Sequence, residues 1–118
     1  LRISLVTPSY NQAPFIRRTI DSVLAQRGDF ELEFQIVDGA SDDGTLEILD
    51  SYGPQLSWTS ERDNGQVDAI NKGLRAATGD IVGWLNSDDT LLPGALAKVA
   101  AAFEANPSVE WVHGRCTI

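Results

Sequence analysis

Ile81-Val82-Gly83-Trp84-Leu85-Asn86-Ser87-Asp88-Asp89 reads as a strand that runs out into acid. The apolar stretch with a glycine inside it predicts a strand at 81–85 covered on both faces, the pattern of a parallel sheet. The next four residues are polar, which marks the point where the chain leaves the sheet. Two adjacent carboxylates there repel each other and are costly to desolvate. A divalent cation between them would remove that cost. Asp88 and Asp89 also fit a second role, as caps for the helix that Pro93 opens.

Moving outward, the same alternation repeats. Upstream, residues 66–77 predict a helix with Val67, Ile70, Leu74 and Ala77 as its buried stripe, closed by Gly79. Before it lies a short strand at 56–60. A helix at 43–52 turns Leu46 and Leu49 inward, with Asp43 as N-cap. A strand at 32–38 ends at Gly39. A helix at 14–26 has Pro14 in its first turn and Ile16, Ile20, Val23 and Leu24 on one face. A first strand at 3–7 stops at Pro8. Downstream, a helix from Pro93 to about residue 105 carries Leu96, Val99, Ala100 and Phe103, and a fifth strand is expected at 109–112. Such alternation of strand and helix implies an α/β fold, a mostly parallel sheet with helices on both faces and right-handed crossovers.

The chain has 118 residues, 42% of them apolar, enough for one domain with its own core. The 17 Asp+Glu against 9 Lys+Arg give a formal charge of -8. That charge argues against a nucleic-acid partner, because neutralising a phosphate backbone takes a surplus of cations. It does not argue against phosphate ligands bridged by a divalent metal. The single cysteine, Cys116, cannot form an internal disulfide, and no apolar run is long enough for a transmembrane segment. The start at Leu1 is neither an initiator Met nor a signal peptide. The end at Ile118 has no polar tail, so the sequence reads as a piece of a longer protein.

Ligands of open α/β sheets bind beyond the carboxyl ends of the strands, near a topological switch point. The segments expected at that edge are Thr7-Pro8-Ser9-Tyr10-Asn11, Asp38-Gly39-Ala40-Ser41-Asp42-Asp43-Gly44, Ser60-Glu61-Arg62-Asp63-Asn64-Gly65 and Asn86-Ser87-Asp88-Asp89. Asp38, Asp88 and Asp89 are expected to converge there. Asp38 reads either as a turn residue or as an acceptor for the imide N–H of a base such as uracil. Tyr10 would lie near the same base or pack its loop. Asp63-Asn64-Gly65 is a tight turn. On the following helix Asp68 shares a face with Asn71 and Lys72. Asn71 could bond a neighbouring loop or a ligand. His113 reads as strand-end polarity.

Several chemistries are excluded. There is no G-x-G-x-x-G after the first strand, no G-x-x-x-x-G-K-[ST] and no G-x-S-x-G. A lone histidine without a Cys/His set leaves no zinc site. The metal reading is a hard cation, Mg²⁺ or Mn²⁺, on carboxylate and phosphate oxygens.

At this point the residues resemble family 2 glycosyltransferases of the GT-A fold. The likeness rests on Ser4-Leu5-Val6-Thr7-Pro8-Ser9-Tyr10-Asn11, Ile20-Asp21-Ser22-Val23-Leu24-Ala25-Gln26 and Val37-Asp38-Gly39-Ala40-Ser41-Asp42-Asp43-Gly44-Thr45. Ala69-Ile70-Asn71-Lys72-Gly73-Leu74 and the run from Ala77 to Asp89 complete it, in order and over nearly the whole chain. The resemblance implies a Rossmann-like GT-A half-domain, the donor-binding portion of a larger enzyme. It implies that Thr7, Pro8, Tyr10 and Asn11 line a nucleotide pocket and that Asp38 contacts the base. Asp63, Asn64, Gly65, Asn71 and Ser87 are expected to contribute to the same nucleotide-sugar site. Asn86-Ser87-Asp88 matches the family's D-x-D signature, with Asp88 on the metal and Asp89 a further candidate ligand. The chain departs from the pattern at Asn86, in place of the first acid, and at Gly39, where many members carry a second acid.

The implied reaction is metal-dependent, inverting transfer from a nucleoside-diphosphate sugar, a UDP-sugar foremost, to a hydroxyl on a glycan or lipid-linked acceptor, as in bacterial polysaccharide biosynthesis. The catalytic base is expected beyond Ile118. A cytoplasmic setting at the inner face of a membrane is expected, as is self-association into a homo-oligomer through apolar surface left by a half-fold. Other readings compete with this one. A receiver-like signalling domain needs paired acids after the first strand and a lysine after the fifth, where Pro8-Ser9-Tyr10 and His113-Gly114 stand. A nucleotidyltransferase needs a triphosphate loop rich in glycine and basic residues after the first strand, which is absent. A catalytically silent nucleotide-binding module keeps the same fold.

Overall fold

The structure, a computed structural model, describes residues 1–112. His113 and Cys116 lie outside the described residues. The elements are β1 (Arg2–Ser9), α1 (Ile16–Leu24), β2 (Glu31–Asp38), α2 (Thr45–Ser51), β3 (Ser57–Ser60), α3 (Gln66–Ala76), β4 (Ile81–Trp84) and α4 (Ala95–Ala105). The described strands form one parallel sheet in the order β3-β2-β1-β4. The first two connections step one way across the sheet; the third returns past β1 to its other side. Right-handed crossovers then require α1 and α2 on one face and α3 on the other.

Packing follows that rule. Ile16, Ile20 and Val23 of α1 and Leu49 of α2 close over Leu5, Phe34 and Ile36. α4 continues the same layer, with Leu96 and Ala100 on Ile3. On the opposite face Ala69 of α3 meets Val6 and Val37. The α/β architecture with helices on both faces is as expected from the sequence.

The structure corrects five local expectations. β1 passes through Pro8 to Ser9. The Ser9 carbonyl accepts from Gly39 on the β2 side. Pro8, one residue earlier, therefore faces β4, whose ladder has already ended at Val6, and its missing N–H costs nothing there. The buried face of α3 is centred on Ala69 and Gly73; of the expected stripe Leu74 packs half-buried against that face, Ile70 and Ala77 are half-buried, and Val67 is 71% exposed. A Cβ on Gly73 would fall 2.3 Å from Val6 Cγ1, so the helix sits too close to β1 for large side chains. Gly79 is no helix cap: α3 ends at Ala76, and a Cβ on Gly79 would meet the Ser4 amide nitrogen at 2.7 Å. β4 is covered on one face only, with Val82 and Trp84 about half exposed, because α3 lies over β1 and β2 rather than over this edge strand. Residues 109–112 form no strand. The Val109 N–H turns back to the Asn106 carbonyl, and none of the described strands pairs with the exposed segment beyond it.

Helix starts also shift. α2 begins after Gly44, which takes a left-handed φ of 101° and is the N-cap in place of Asp43; Asp43 stands one residue earlier and accepts from the Thr45 N–H at 3.1 Å. α4 begins after Gly94 rather than at Pro93, and its Leu96 N–H is capped from a distance by Gln26 Oε1 at 3.0 Å.

Candidate functional site

The carboxyl ends of the four described strands open into a cleft of about 600 Å³. It straddles the boundary between β1 and β4, where the strand order reverses. From the β1 end come Pro8, Ser9, Tyr10 and Gln12. The loop after β2 contributes Gly39, Ala40 and Asp42. The loop after β3 and the start of α3 contribute Arg62, Asp63, Gly65, Gln66 and Ala69. Asn86, Ser87 and Asp88 come from the end of β4.

Of the expected site residues, Pro8, Tyr10, Asp63, Gly65, Ser87 and Asp88 line this cleft. Asp38 does not. It is fully buried, and its carboxylate accepts from the Ser41 hydroxyl at 2.6 Å, the Ser41 N–H at 2.8 Å and the Ser60 hydroxyl at 2.9 Å. The strand end put the residue in the right place, but the pleat turns its side chain under the loop, where it ties the ends of β2 and β3 together. Asn11 is likewise a brace. In a left-handed conformation (φ 52°), it donates its N–H to Ser41 Oγ at 2.8 Å and accepts from the Asp42 N–H at 3.0 Å. Thr7 is fully buried beneath the cleft.

The loop after β3 is held from α3. Asp68 accepts from the Asn64 N–H at 3.0 Å, and Lys72 reaches Glu61 at 3.1 Å and Asp68 at 3.6 Å. The Asn64 N–H holds the Asp68 carboxyl below its usual range, with Lys72 adding to it; Glu61 raises the lysine. Asn64 and Asn71 are exposed and are not among the residues that line the cleft. Asn71 stands on the exposed side because the buried face of α3 is centred on Ala69 and Gly73.

The acidic turn after β4 hangs from α1. The Thr19 hydroxyl lies 2.9 Å from the Ser87 carbonyl and 2.5 Å from that of Asp89. Ser22 Oγ accepts from the Leu91 N–H at 3.1 Å, and Gln26 Nε2 donates to the Leu92 carbonyl at 3.0 Å. Thr19 and Ser22 stand three apart on one face of α1, and Gln26 follows just past the helix end. The turn they fix presents Asp88 to the cleft, while Asp89 lies off it, so the expected convergence of Asp38, Asp88 and Asp89 reduces to Asp88. Gln66 Nε2 donates to Asn86 Oδ1 at 2.6 Å and locks the start of α3 onto the same turn.

Among the described residues no group of three or more His, Cys, Asp or Glu side chains could cage a metal. The carboxylates on the cleft wall would therefore fit only a cation that keeps most of its shell from phosphate oxygens and water, as Mg²⁺ and Mn²⁺ commonly do. Sequence reasoning passed over Gln12, Asp42, Arg62 and Gln66 in the lining. Asp42 and Arg62 sat inside the segments already quoted, and position after a strand was their only signal.

Comparison with known proteins accords with this geometry. The profile of Glycosyl transferase family 2 matches residues 4–115. An uncharacterized glycosyltransferase of Mycobacterium tuberculosis is 33% identical over 114 residues, covering 95% of this chain and 44% of that protein. A PGL/p-HBAD biosynthesis glycosyltransferase of Mycobacterium bovis is 36% identical over 117 residues, covering 94% and 45%. The chain thus spans less than half the length of these curated relatives. Among solved structures, residues 1–349 of S. aureus TarS in complex with UDP-GlcNAc superpose with a TM-score of 0.80 at 25% identity, over all of this chain and 37% of that one. The mannosyltransferase PcManGT of Pyrobaculum calidifontis, in complex with GDP-Man and Mn²⁺, gives 0.79 at 31% identity, over 91% and 33%. With its Rossmann-like GT-A sheet and its profile match over nearly the whole length, the chain belongs to glycosyl transferase family 2.

Proposed function

We propose that this chain is the donor-binding part of a glycosyltransferase, and that its cleft takes a nucleoside-diphosphate sugar, a UDP-sugar foremost. The observation that carries the reading is the cleft itself, set at the reversal of strand order with Asp88 exposed on its wall. The nucleoside lies against Tyr10 and the loops after β2 and β3, and the diphosphate lies toward the turn after β4. Arg62 supplies positive charge to the wall, and Gln12 and Gln66 supply amide donors. A divalent cation, Mn²⁺ or Mg²⁺, would be held by Asp88 and would supply charge neutralisation on the departing diphosphate.

In the full-length protein the acceptor hydroxyl, on a glycan or lipid-linked acceptor, attacks the anomeric carbon from the face opposite the diphosphate. The C–O bond to the diphosphate breaks as the new glycosidic bond forms, giving inversion. The hydroxyl proton passes to a base outside this chain. The neighbours' ligands, UDP-GlcNAc in TarS and GDP-Man with Mn²⁺ in PcManGT, support both the ligand class and the metal.

The test is a thermal-shift panel of nucleoside diphosphates with and without Mn²⁺. A ligand that binds only the folded state raises Tm, by about 2.7 kcal/mol of added stability at a hundredfold excess over Kd. UDP with Mn²⁺ is expected to give the largest shift, and Asp88→Ala to abolish its metal-dependent part. A metal-dependent shift that survives Asp88→Ala would remove Asp88 from the metal site.

A further inference from the structure

The loop after β2 carries an acid that cannot reach the cleft and a glycine that can. Asp38 is fully buried, with its carboxylate accepting from Ser41 and Ser60. Gly39 is on the cleft wall. Its φ is not in the left-handed range, so the backbone there would accept any L-residue. What forbids a side chain is Asp63. A Cβ at position 39 would stand 2.9 Å from Asp63 Oδ2 and 3.0 Å from Oδ1. The space beside the tip of β2 is therefore filled by a carboxylate delivered from the loop after β3.

That carboxylate is only half committed. Asp63 Oδ1 accepts from the Gly65 N–H at 3.0 Å, which fixes the side chain within its own turn. Oδ2 has no protein donor among the described residues, and Asp63 lines the cleft. Its placement also separates it from Asp88. β2 and β4 flank β1, so their tips are about 10 Å apart at the usual strand spacing. With the diphosphate at Asp88, the far end of the ligand falls beside Asp63.

Resting on the donor-site reading above, we propose that Asp63 is the residue that selects the nucleobase. Its free oxygen accepts the ring N–H of a lactam base, N3–H of uracil or N1–H of guanine, and Gly39 is glycine to leave that carboxylate its place. Adenine and cytosine carry a bare ring nitrogen at the corresponding position. Set against a carboxylate, that nitrogen gives two acceptors facing each other, and a site built to receive a donor rejects the analogue lacking it.

The experiment measures binding of UDP, GDP, CDP, ADP and pyrophosphate, each with Mn²⁺, to the 118-residue chain. The wild type is expected to favour UDP or GDP, and which of the two wins names the base. Asp63→Asn keeps an oxygen for the Gly65 N–H but turns an amide donor toward the base. It should weaken the favoured nucleotide by about tenfold or more and raise CDP relative to UDP. Pyrophosphate binding should stay unchanged. Gly39→Ala should reproduce the loss by pushing the carboxylate aside. Gly39→Asp combined with Asp63→Gly, which moves the acid back to the β2 loop, should recover part of it. An Asp63→Asn protein with wild-type base preference overturns the proposal, as does a wild type that prefers CDP or ADP. The latter results leave the donor-site reading standing; a chain that binds none of the nucleotides overturns both.

Discussion

Both ends of one sheet carry acids, and they treat them differently. At the N-terminal rim they are answered by protein. Glu31 accepts from Arg2 at 2.9 Å, Asp80 accepts from the Arg2 N–H at 2.9 Å, and Glu33 accepts from the Ser4 hydroxyl at 2.6 Å and from the N–H and hydroxyl of Thr78 at 2.9 and 2.8 Å. At the C-terminal rim Asp42 and Asp88 line the cleft with no hydrogen bond from the described protein to their carboxylates, and Asp63 keeps one oxygen free. Two acids set back from the cleft are fully engaged: Asp38 beneath the rim, and Asp43, which accepts from the Ala13 N–H and from Thr45. The contrast separates carboxylates that hold the chain together from carboxylates kept for something else.

Substitution can break or sharpen that contrast. The largest effect on the fold belongs to Asp38→Ala, which strands the Ser41 and Ser60 donors beneath the loop and should lower stability by roughly 3 kcal/mol, read by urea denaturation. Asp88→Ala should leave the Tm of the free chain within about 2 °C of wild type while removing the metal-dependent ligand shift; an Asp88→Ala protein as unstable as Asp38→Ala would erase the distinction.

Glu33→Gln comes next, and its effect depends on pH. The Ser4 hydroxyl, and after it the Thr78 N–H and hydroxyl, hold the Glu33 carboxyl at about 2, down from an ordinary 4.5. A carboxyl depressed in the folded state contributes stability above its unfolded value and loses it as pH falls through the folded one. The Tm gap between wild type and Glu33→Gln should therefore be full above about pH 5 and close between about 4.5 and 2. A gap that does not change with pH would show that the charge on Glu33 is not what matters. The smallest effect is expected from Glu31→Ala, whose partner lies in water, with a Tm change of no more than about 2 °C that shrinks in salt.

Much of the fold was legible because strand and helix alternate with clear periods: Ile16, Ile20 and Val23 announce the buried face of α1, and Leu46 and Leu49 that of α2. The buried face of α3 was not legible, because Ala69 and Gly73 make the contact and small residues carry little hydrophobic signal. Residues 109–112 have strand chemistry but no partner in the described sheet, and pairing is not written in a segment by itself. The cleft was legible as an edge, since each strand end pointed to it. The identity of its acids was less so. Position after a strand places a residue at the rim, but whether the side chain faces the cleft, as at Asp88, or the loop's underside, as at Asp38, depends on the pleat and on hydroxyls that arrive later in the chain. The approach of Asp63 to Gly39 joins two loops distant in sequence and has no local signature.

The turn that presents Asp88 is suspended from Thr19 and Ser22 of α1 and from Gln26 just past its end. Helix and turn therefore behave as a single rigid mount. A small roll of α1, driven from its solvent side far from the cleft, would steer the acid like a rudder on its tiller without altering any residue near it.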